Sequence, residues 1–162
     1  GWQISVQYAY EGGQFLTPAW QGSDPTGTNY TTTRTPALVT RRPDHLRDAN
    51  IADPTPYRWF DVSAFSAPRP GAYGSAAKGV IIGPPVNVLH AALMKNIRMK
   101  ERGWIRLQIM ASNALNHPNY ANPTTNISTA GQAGVITATQ NVNTRLDNPN
   151  DRRVLLHMRV EF

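Results

Sequence analysis

The chain has 162 residues, 40% of them hydrophobic and 16% charged, and its length corresponds to about one domain. The 12 glycines and 13 prolines, with many Asn, Thr and Ser residues between the apolar stretches, exclude a helical bundle. The absence of cysteine excludes disulfides, thiolate metal sites and a cysteine nucleophile, while the formal net charge of +6 favours anionic surroundings.

The strongest periodicity lies at residues 2–10, where even positions are large and apolar or aromatic and odd positions are small or polar. This alternation predicts a β-strand with one apolar and one polar face. The length also matches a tilted strand that crosses a bilayer, with Trp2 and Tyr10 near its two interfaces. A strand of a soluble β-sandwich would give the same pattern.

Further strands follow along the chain. A turn at 11–14 predicts that the next segment, bent by Pro18, returns as a hairpin. Alternation is clear again in the segments 86–99, 104–115 and 152–162. The turn at 100–103 joins the first two of these segments. The five predicted long strands are 2–10, 14–20, 86–99, 104–115 and 152–162. Two long irregular loops, 21–85 and 116–151, separate them.

Several ordered motifs resemble the carboxy-terminal end of TonB-dependent outer-membrane receptors, in the Oar-like group with a carboxypeptidase-regulatory-like domain. The matching segments are 1–5, 13–18, 58–65, 70–76, 83–85, 93–96 and 113–120, together with Phe162 at the end. The chain departs from the family pattern at Gln14-Phe15, which lacks a proline, and at Ser112 and Ala114, which replace aromatic residues.

The resemblance implies an all-β fold, an antiparallel meander that forms the C-terminal part of a transmembrane β-barrel. It places the protein in the outer membrane of a Gram-negative bacterium. Phe162 would then be the signal read by the barrel-assembly machinery. We expect the chain to be a fragment of a longer transport protein that takes up or binds an unidentified ligand, without catalysis and without a cofactor.

Barrels of this kind have short periplasmic turns and long extracellular loops. Five crossings then place the turns 11–14 and 100–103 and Phe162 in the periplasm. The apolar patch at 134–140 must remain outside the membrane. Because five strands cannot close a barrel, the expected partners are the remaining barrel strands and plug of the parent or other copies of the chain, together with outer-membrane lipid; no specific nucleic-acid partner is expected.

The period of two also assigns faces. The residues expected to face lipid or an apolar partner are Ile4, Val6, Tyr8, Ile105, Leu107, Ile109, Leu156, Met158 and Val160. The residues expected to face the polar lumen are Gln3, Ser5, Gln7, Arg106, Gln108, His157 and Arg159.

The loop 21–85 carries two conspicuous sets of side chains. Its aromatic residues form either a ligand-contacting surface or a small core of the loop itself; they are Tyr57, Trp59, Phe60, Phe65 and Tyr73. Its basic residues either bind anionic head groups, glycans or a polyanion or form a solvated loop; they are Arg34, Arg41, Arg42, Arg47, Arg58 and Arg69.

No catalytic constellation is readable. His45, His90, His117 and His157 do not stand at metal-ligand spacings, so no metal site is predicted, and the nearest cluster, Asp44-His45 with Asp48, reads as a solvated loop. Ser63, Ser66 and Ser75 lie in no Gly-x-Ser-x-Gly motif. Two alternatives remain: a soluble β-sandwich that binds carbohydrate or polyanion, in which strand 2–10 packs against 104–115 and 152–162, and an uncharacterised hydrolase.

Overall fold

The computed structural model describes residues 1–27, 41–100, 103–140 and 151–162. Within this part the chain is antiparallel β-structure with one 3-10 turn, η1, at Val62–Ala64. The strands are β1 Trp2–Glu11, β2 Phe15–Leu16, β3 Asp44–His45, β4 Asn50–Thr55, β5 Arg58–Phe60, β6 Phe65–Ser66, β7 Ile81–Ile82, β8 Val86–Arg98, β9 Trp104–Ser112 and β10 Arg153–Glu161. The expected all-β fold class is confirmed, and the strands do not close into a barrel. No helix among these residues has the length and apolar character needed to cross a membrane.

The chain divides into two compact units, and the first carries the long strands. Unit 1 consists of residues 1–12, 85–119 and 139–162. Its four-stranded antiparallel sheet has the order β1-β8-β9-β10. The segment 99–103 joins β8 to β9 at one end of the sheet, here called the turn end. At the opposite end, the loop end, β1 leads into the connection to β8 and β9 leads into the connection to β10.

Glycine is required at the turn end. Gly103 has a φ of 139°, and a Cβ atom at this position would lie 1.9 Å from the carbonyl oxygen of Glu161. The backbone of β10 therefore passes too close for any side chain here. Lys100 also has a positive φ, 36°.

The predicted hairpin of 2–20 is wrong. β1 pairs with β8, with Trp2 opposite Lys95 and Glu11 opposite Val86. Residues 14–20 contain only the two-residue β2, which pairs with β7 in the other unit. The reason is a close backbone approach, since a Cβ atom on Gly13 would lie 1.8 Å from the carbonyl oxygen of Gly83.

The pairing of β1 with β8 changes the number of long strands from odd to even. The sheet has four long strands instead of five, and β1 runs from the turn end to the loop end. The predicted turn at 11–14 therefore lies at the loop end, opposite to 99–103. Phe162 still follows the last strand at the turn end.

The predicted strand 104–115 ends earlier than expected. Asn113 and Asn116 adopt positive φ values of 45° and 53°. The Asn113 side chain donates from Nδ2 to the carbonyl of His117 (3.0 Å) and accepts from its N–H (3.1 Å). Asn tolerates this left-handed conformation better than most residues, so the side chain closes a turn where the alternation had predicted strand.

Unit 2 consists of residues 13–84 and 120–138 and folds around its own small core. Three two-stranded ladders, β2–β7, β3–β6 and β4–β5, surround this core. Its buried side chains are Ala49, Phe60, Ala64, Phe65, Ala76 and Ile81, with Leu16, Trp59, Val62, Val80 and Ile127 packed against them. The predicted irregular loop 21–85 is therefore largely folded.

Part of the second predicted loop completes this unit. Backbone hydrogen bonds join Ile136 N to Pro56 O (2.7 Å), Trp59 N to Gly134 O (2.8 Å) and Ile127 N to Ala19 O (2.9 Å). Residues 134–140 form no strand of the sheet, as the sequence analysis predicted. Residues 28–40, 101–102 and 141–150 of the predicted loops and turn, including Arg34, lie outside the described residues.

Candidate functional site

The two faces of the unit 1 sheet differ sharply in chemistry. In an antiparallel pair, residues directly opposite each other point to the same face. The register therefore sorts the side chains without ambiguity, and one surface, here called the polar face, collects most polar and charged groups. Its members are Gln3, Ser5, Gln7, Ala9, Glu11, Val86, Val88, His90, Ala92, Met94, Asn96, Arg98, Trp104, Arg106, Gln108, Met110, Ser112, Arg153, Leu155, His157, Arg159 and Glu161.

The opposite surface, here called the apolar face, carries one charged residue, Lys95. Its members are Trp2, Ile4, Val6, Tyr8, Tyr10, Asn87, Leu89, Ala91, Leu93, Lys95, Ile97, Ile105, Leu107, Ile109, Ala111, Val154, Leu156, Met158 and Val160. The Lys95 ammonium lies 4.6 Å from the centre of the Trp2 ring.

The apolar face is exposed even on its central strands. Leu93 on β8 retains 38% of its accessible surface and Ile109 on β9 retains 45%, while Leu156 on β10 reaches 79%. Singly exposed apolar residues are ordinary in a soluble protein, but a contiguous face of this size is not. This surface therefore requires an apolar environment.

The sequence-predicted face residues fall into the two expected sets. Every residue predicted to face lipid or an apolar partner lies on the apolar face, and every residue predicted to face a lumen lies on the polar face. The register shows which residues share a face, while the environment of each face is a separate question.

The polar face contains two open depressions. The first lies over the middle strands, where Ser5, Gln7, His90 and Met110 surround the small side chain of Ala92. The second lies at the turn end, among Asn96, Arg98, Lys100, Trp104 and Arg106. Of these residues, the sequence pattern predicted only Arg106 to face the polar lumen. Extending the period of two to the end of β8 and across the turn would have placed Arg98 beside it.

The predicted aromatic set in 21–85 does not form one surface. Phe60 and Phe65 are buried in the unit 2 core with their rings edge to face, 6.2 Å apart. Trp59 packs against the core and donates from Nε1 to the carbonyl of Ile82 (2.8 Å). Tyr57 and Tyr73 are 86% and 72% exposed. Three of the five residues are thus core, and two remain available as ligand contacts.

Asp61 lies at the centre of a hydrogen-bonded network with Ser63 and Arg47 in unit 2. Its Oδ1 accepts from the Ser63 hydroxyl (2.7 Å) and N–H (3.1 Å), which caps η1, and its Oδ2 accepts from Arg47 (2.9 Å). The Ser63 hydroxyl and the Arg47 guanidinium hold the pKa of Asp61 below its ordinary value, although burial acts in the opposite direction. This network stabilises a local turn.

The Asp44-His45-Asp48 cluster also has a structural explanation. Asp44 accepts from the Ser75 N–H (2.9 Å), and His45 stacks on Phe65 with ring centres 5.2 Å apart. Asn50 donates to Asp48 from both its backbone and its side chain, which lowers the pKa of the Asp48 carboxyl. Among the described residues, no three His, Asp or Glu side chains form a group that could hold a metal ion.

The candidate serines have structural contacts as well. The Ser63 hydroxyl donates to Asp61, and the Ser75 hydroxyl accepts from the His45 N–H (3.0 Å). His90 and His157 lie on the polar face, and His117 belongs to the Asn113 turn. The polar face therefore presents hydrogen-bonding and cationic side chains of the kind found on water-exposed surfaces. These side chains can position a polar or anionic ligand.

The sandwich alternative does not agree with the topology. It required strand 2–10 to pack face to face with 104–115 and 152–162, but β1, β9 and β10 belong to the same sheet. Their apolar residues lie side by side on one surface and cannot bury each other across two layers.

A family model described as an outer membrane beta barrel domain matches residues 1–154 of the chain. No curated protein and no solved structure matches it.

Proposed function

The chain belongs to the outer membrane beta barrel domain family, which places it in the bacterial outer membrane, and from that premise we propose that it is the C-terminal barrel segment of a TonB-dependent receptor. Its role is uptake or surface binding of a ligand, without catalysis. The ordered motifs of the sequence support the receptor assignment. The observation that carries the proposal is the sorting of polar and apolar side chains onto opposite faces of one sheet.

In this proposal the apolar face contacts lipid and the polar face lines the lumen. Hydrocarbon offers no hydrogen bonds, so a lipid-facing surface needs apolar side chains and a fully paired backbone. The exposed apolar residues of β1, β8, β9 and β10 meet the first requirement. Lys95 fits near an interface because its stem can lie along lipid while its ammonium reaches water.

The aromatic residues at the turn end support a tilted sheet. Trp2 lies in register with Lys95, Leu107 and Met158. Phe162, the residue after β10, is displaced from that row by four residues. That displacement is about 13 Å, and the three strand spacings between β1 and β10 span about 14 Å. If Trp2 and Phe162 lie at the same depth, the strands tilt by about 42°, within the range of about 35–45° known for outer-membrane barrels.

The same offset holds at the loop end. The apolar positions run from Trp2 to Tyr10 on β1 and from Val154 on β10 to Phe162 directly after it, an equal length along both edges of the sheet. With the inferred tilt this length corresponds to about 20 Å between backbone positions, and side chains at both borders extend it toward the usual band of about 25 Å.

The orientation follows from the lengths of the connections. The turn end, with 99–103 and Phe162, faces the periplasm, and the connections at the loop end, including unit 2, lie outside the cell. The four strands then cross up, down, up and down. Tyr57 and Tyr73 on unit 2 are exposed and can contact an external ligand.

The partners follow from the edges. β1 and β10 are edge strands, whose outward backbone groups need hydrogen-bond partners within a membrane. We propose that the remaining strands of the parent barrel, with its plug, or other copies of this chain supply them. The barrel-assembly machinery and outer-membrane lipid are the other partners, and no specific nucleic acid is required.

The test of the face assignment uses the absence of native cysteine. Single cysteines are placed along β9 at positions 105 to 109 of an intact barrel in which any cysteine outside the 162 residues has been replaced, and a spin label on each is exposed to oxygen and to a water-soluble nickel complex. Labels at positions 105, 107 and 109 should be relaxed by oxygen, and labels at 106 and 108 by nickel. Uniform nickel access at all five positions would refute the lipid assignment.

The receptor assignment has a separate test. The purified periplasmic domain of TonB should bind the intact parent protein in detergent, and energy-dependent uptake should stop in cells that lack TonB. An intact parent that neither binds this domain nor loses activity in such cells is a barrel of another kind.

A further inference from the structure

Three arginines from three adjacent strands gather at the turn end of the polar face. They are Arg98 on β8, Arg106 on β9 and Arg159 on β10. Arg106 and Arg159 are directly opposite each other in the ladder. Like charges in this position destabilise a sheet unless another group compensates them.

The Arg106 guanidinium is held in place from two sides. Its Nε donates to Asn96 Oδ1 (3.2 Å), and its central carbon lies 4.5 Å from the centre of the Trp104 ring. Both partners are neutral, so they orient the guanidinium without neutralising it. No other described residue is hydrogen-bonded to its two terminal nitrogens, which can therefore bind an oxyanion with the side chain already ordered.

The Arg159 guanidinium forms one ion pair among the described residues. Its Nε lies 2.8 Å from Glu161 Oε1. Within the described part of unit 1, Glu161 is the only carboxylate in an ion pair, so Arg98 and Arg106 have no counter-charge there. Both of them border the open depression at the turn end.

We propose that Arg98, Arg106 and Arg159 form a binding site for the carboxylates of an acidic polypeptide segment. The guanidinium fork pairs with a carboxylate through two parallel hydrogen bonds, and the two facing arginines can share one anionic side chain. The assignment to a polypeptide rests on the proposed function, because the polar face is turned away from lipid and its phosphates. A segment that lies along the lumen wall near the periplasmic end satisfies this geometry.

The test uses the 162-residue chain folded in an uncharged maltoside detergent. A fluorescein-labelled hexaglutamate peptide is titrated and followed by anisotropy. The double variant Arg106→Gln/Arg159→Gln should raise the Kd at least tenfold. Arg153→Gln is the control matched to the single variant Arg159→Gln, since each removes one charge from the polar face of β10; Arg159→Gln should weaken binding, whereas Arg153→Gln at the loop end should change the Kd less than twofold.

The far-ultraviolet circular dichroism of each variant must match that of the unchanged chain. If the glutamine variant loses β-structure, Arg106→Lys/Arg159→Lys replaces it. This variant keeps both charges but loses the planar fork, and it should weaken binding at least threefold. Unchanged affinity in the lysine variant would overturn the site.

Two other results would also refute the proposal. An equal loss with Arg153→Gln would show that the peptide senses only the overall charge of the face. Displacement of the peptide by inorganic phosphate at equal concentration would assign the site to small oxyanions instead. The β9 cysteine pattern distinguishes the two hypotheses: if the pattern holds while the arginine variants bind normally, the site fails and the barrel assignment stands.

Discussion

A depth series of arginine substitutions on β9 gives the most quantitative test of the proposed membrane position. A straight line from Trp2 to Phe162 marks the inferred membrane boundary at the turn end. The observed register places its crossing of β9 near Trp104. With a rise of about 3.3 Å per residue and a tilt of about 42°, Ile105, Leu107 and Ile109 lie about 2, 7 and 11 Å inside this boundary. In a band about 25 Å tall, Ile109 is therefore close to the midplane.

The expected cost follows this depth. Arginine on the lipid face costs about 2–4 kcal/mol at the midplane and about 0–1 kcal/mol near an interface. Ile109→Arg should therefore lose about 2–4 kcal/mol of the free energy of unfolding, Leu107→Arg an intermediate amount and Ile105→Arg less than about 1 kcal/mol. Gln108→Arg is the matched control, because its side chain lies on the polar face between two of the test positions.

The assay is guanidinium unfolding of the intact barrel in phospholipid vesicles, followed by tryptophan fluorescence. Variants are compared only when the slope m of the free energy of unfolding against denaturant concentration is unchanged. A shift of the unfolding midpoint then reports a change in stability alone. The same cost for Ile109→Arg and Gln108→Arg would refute the face assignment. A cost that falls from Ile105 to Ile109 would refute the inferred position and tilt.

Three further predictions concern unit 2 and the carboxyl terminus. Phe60→Ala should destabilise unit 2 by about 3–5 kcal/mol because Phe60 is fully buried, whereas Tyr73→Ala should change its thermal unfolding little. The pKa of Asp61 is lowered in the folded state, so its carboxylate stabilises the unit above the unfolded pKa of about 3.9 and this contribution is lost as the pH falls through the folded-state pKa. Asp61→Asn should therefore melt earlier than the unchanged chain at about pH 6 and show a smaller further loss near pH 3. Phe162→Ala in the parent should reduce the surface level of the assembled barrel, without altering the solubility of the isolated chain; wild-type surface labelling would contradict this.

The long strands were predictable because their signal is local. Alternation of side chains in 2–10, 104–112 and 153–161 is a direct consequence of strand geometry at the border of two different solvents. The face of every residue then follows from its parity in the strand. For this reason the two predicted face sets agree with the observed register without exception.

Strand pairing was not predictable in the same way. The glycines at 12–13 read as a hairpin turn, yet β1 pairs with β8 across a connection of more than 70 residues. The role of Gly13 is to allow close contact with the backbone of Gly83, which is a tertiary constraint that no local pattern reveals. The error in strand count, and therefore in the direction of β1, came from this one turn.

The aromatic residues of the loop show a similar limit. Phe60 and Phe65 lie in the core because β5 and β6 bring them together, while Tyr73 follows Gly71, whose φ of 77° belongs to a turn. All of these residues occur in one proline-rich stretch, so composition alone does not separate buried from exposed rings. The arginine cluster was missed for the same reason, since Arg98 and Arg106 come together only through the β8–β9 register.

The two units use apolar side chains in opposite ways, and this contrast supports the membrane assignment independently of any single residue. In unit 2 the two core rings, Phe60 and Phe65, are withdrawn from solvent at 0% and 5% exposure, as expected for folding in water. In unit 1 the corresponding side chains cover one face of the sheet, and Ile4 and Met158 retain 72% and 66% of their surface. A single chain folded against one solvent would minimise both exposures. The difference is therefore consistent with water around unit 2 and hydrocarbon against the apolar face of unit 1.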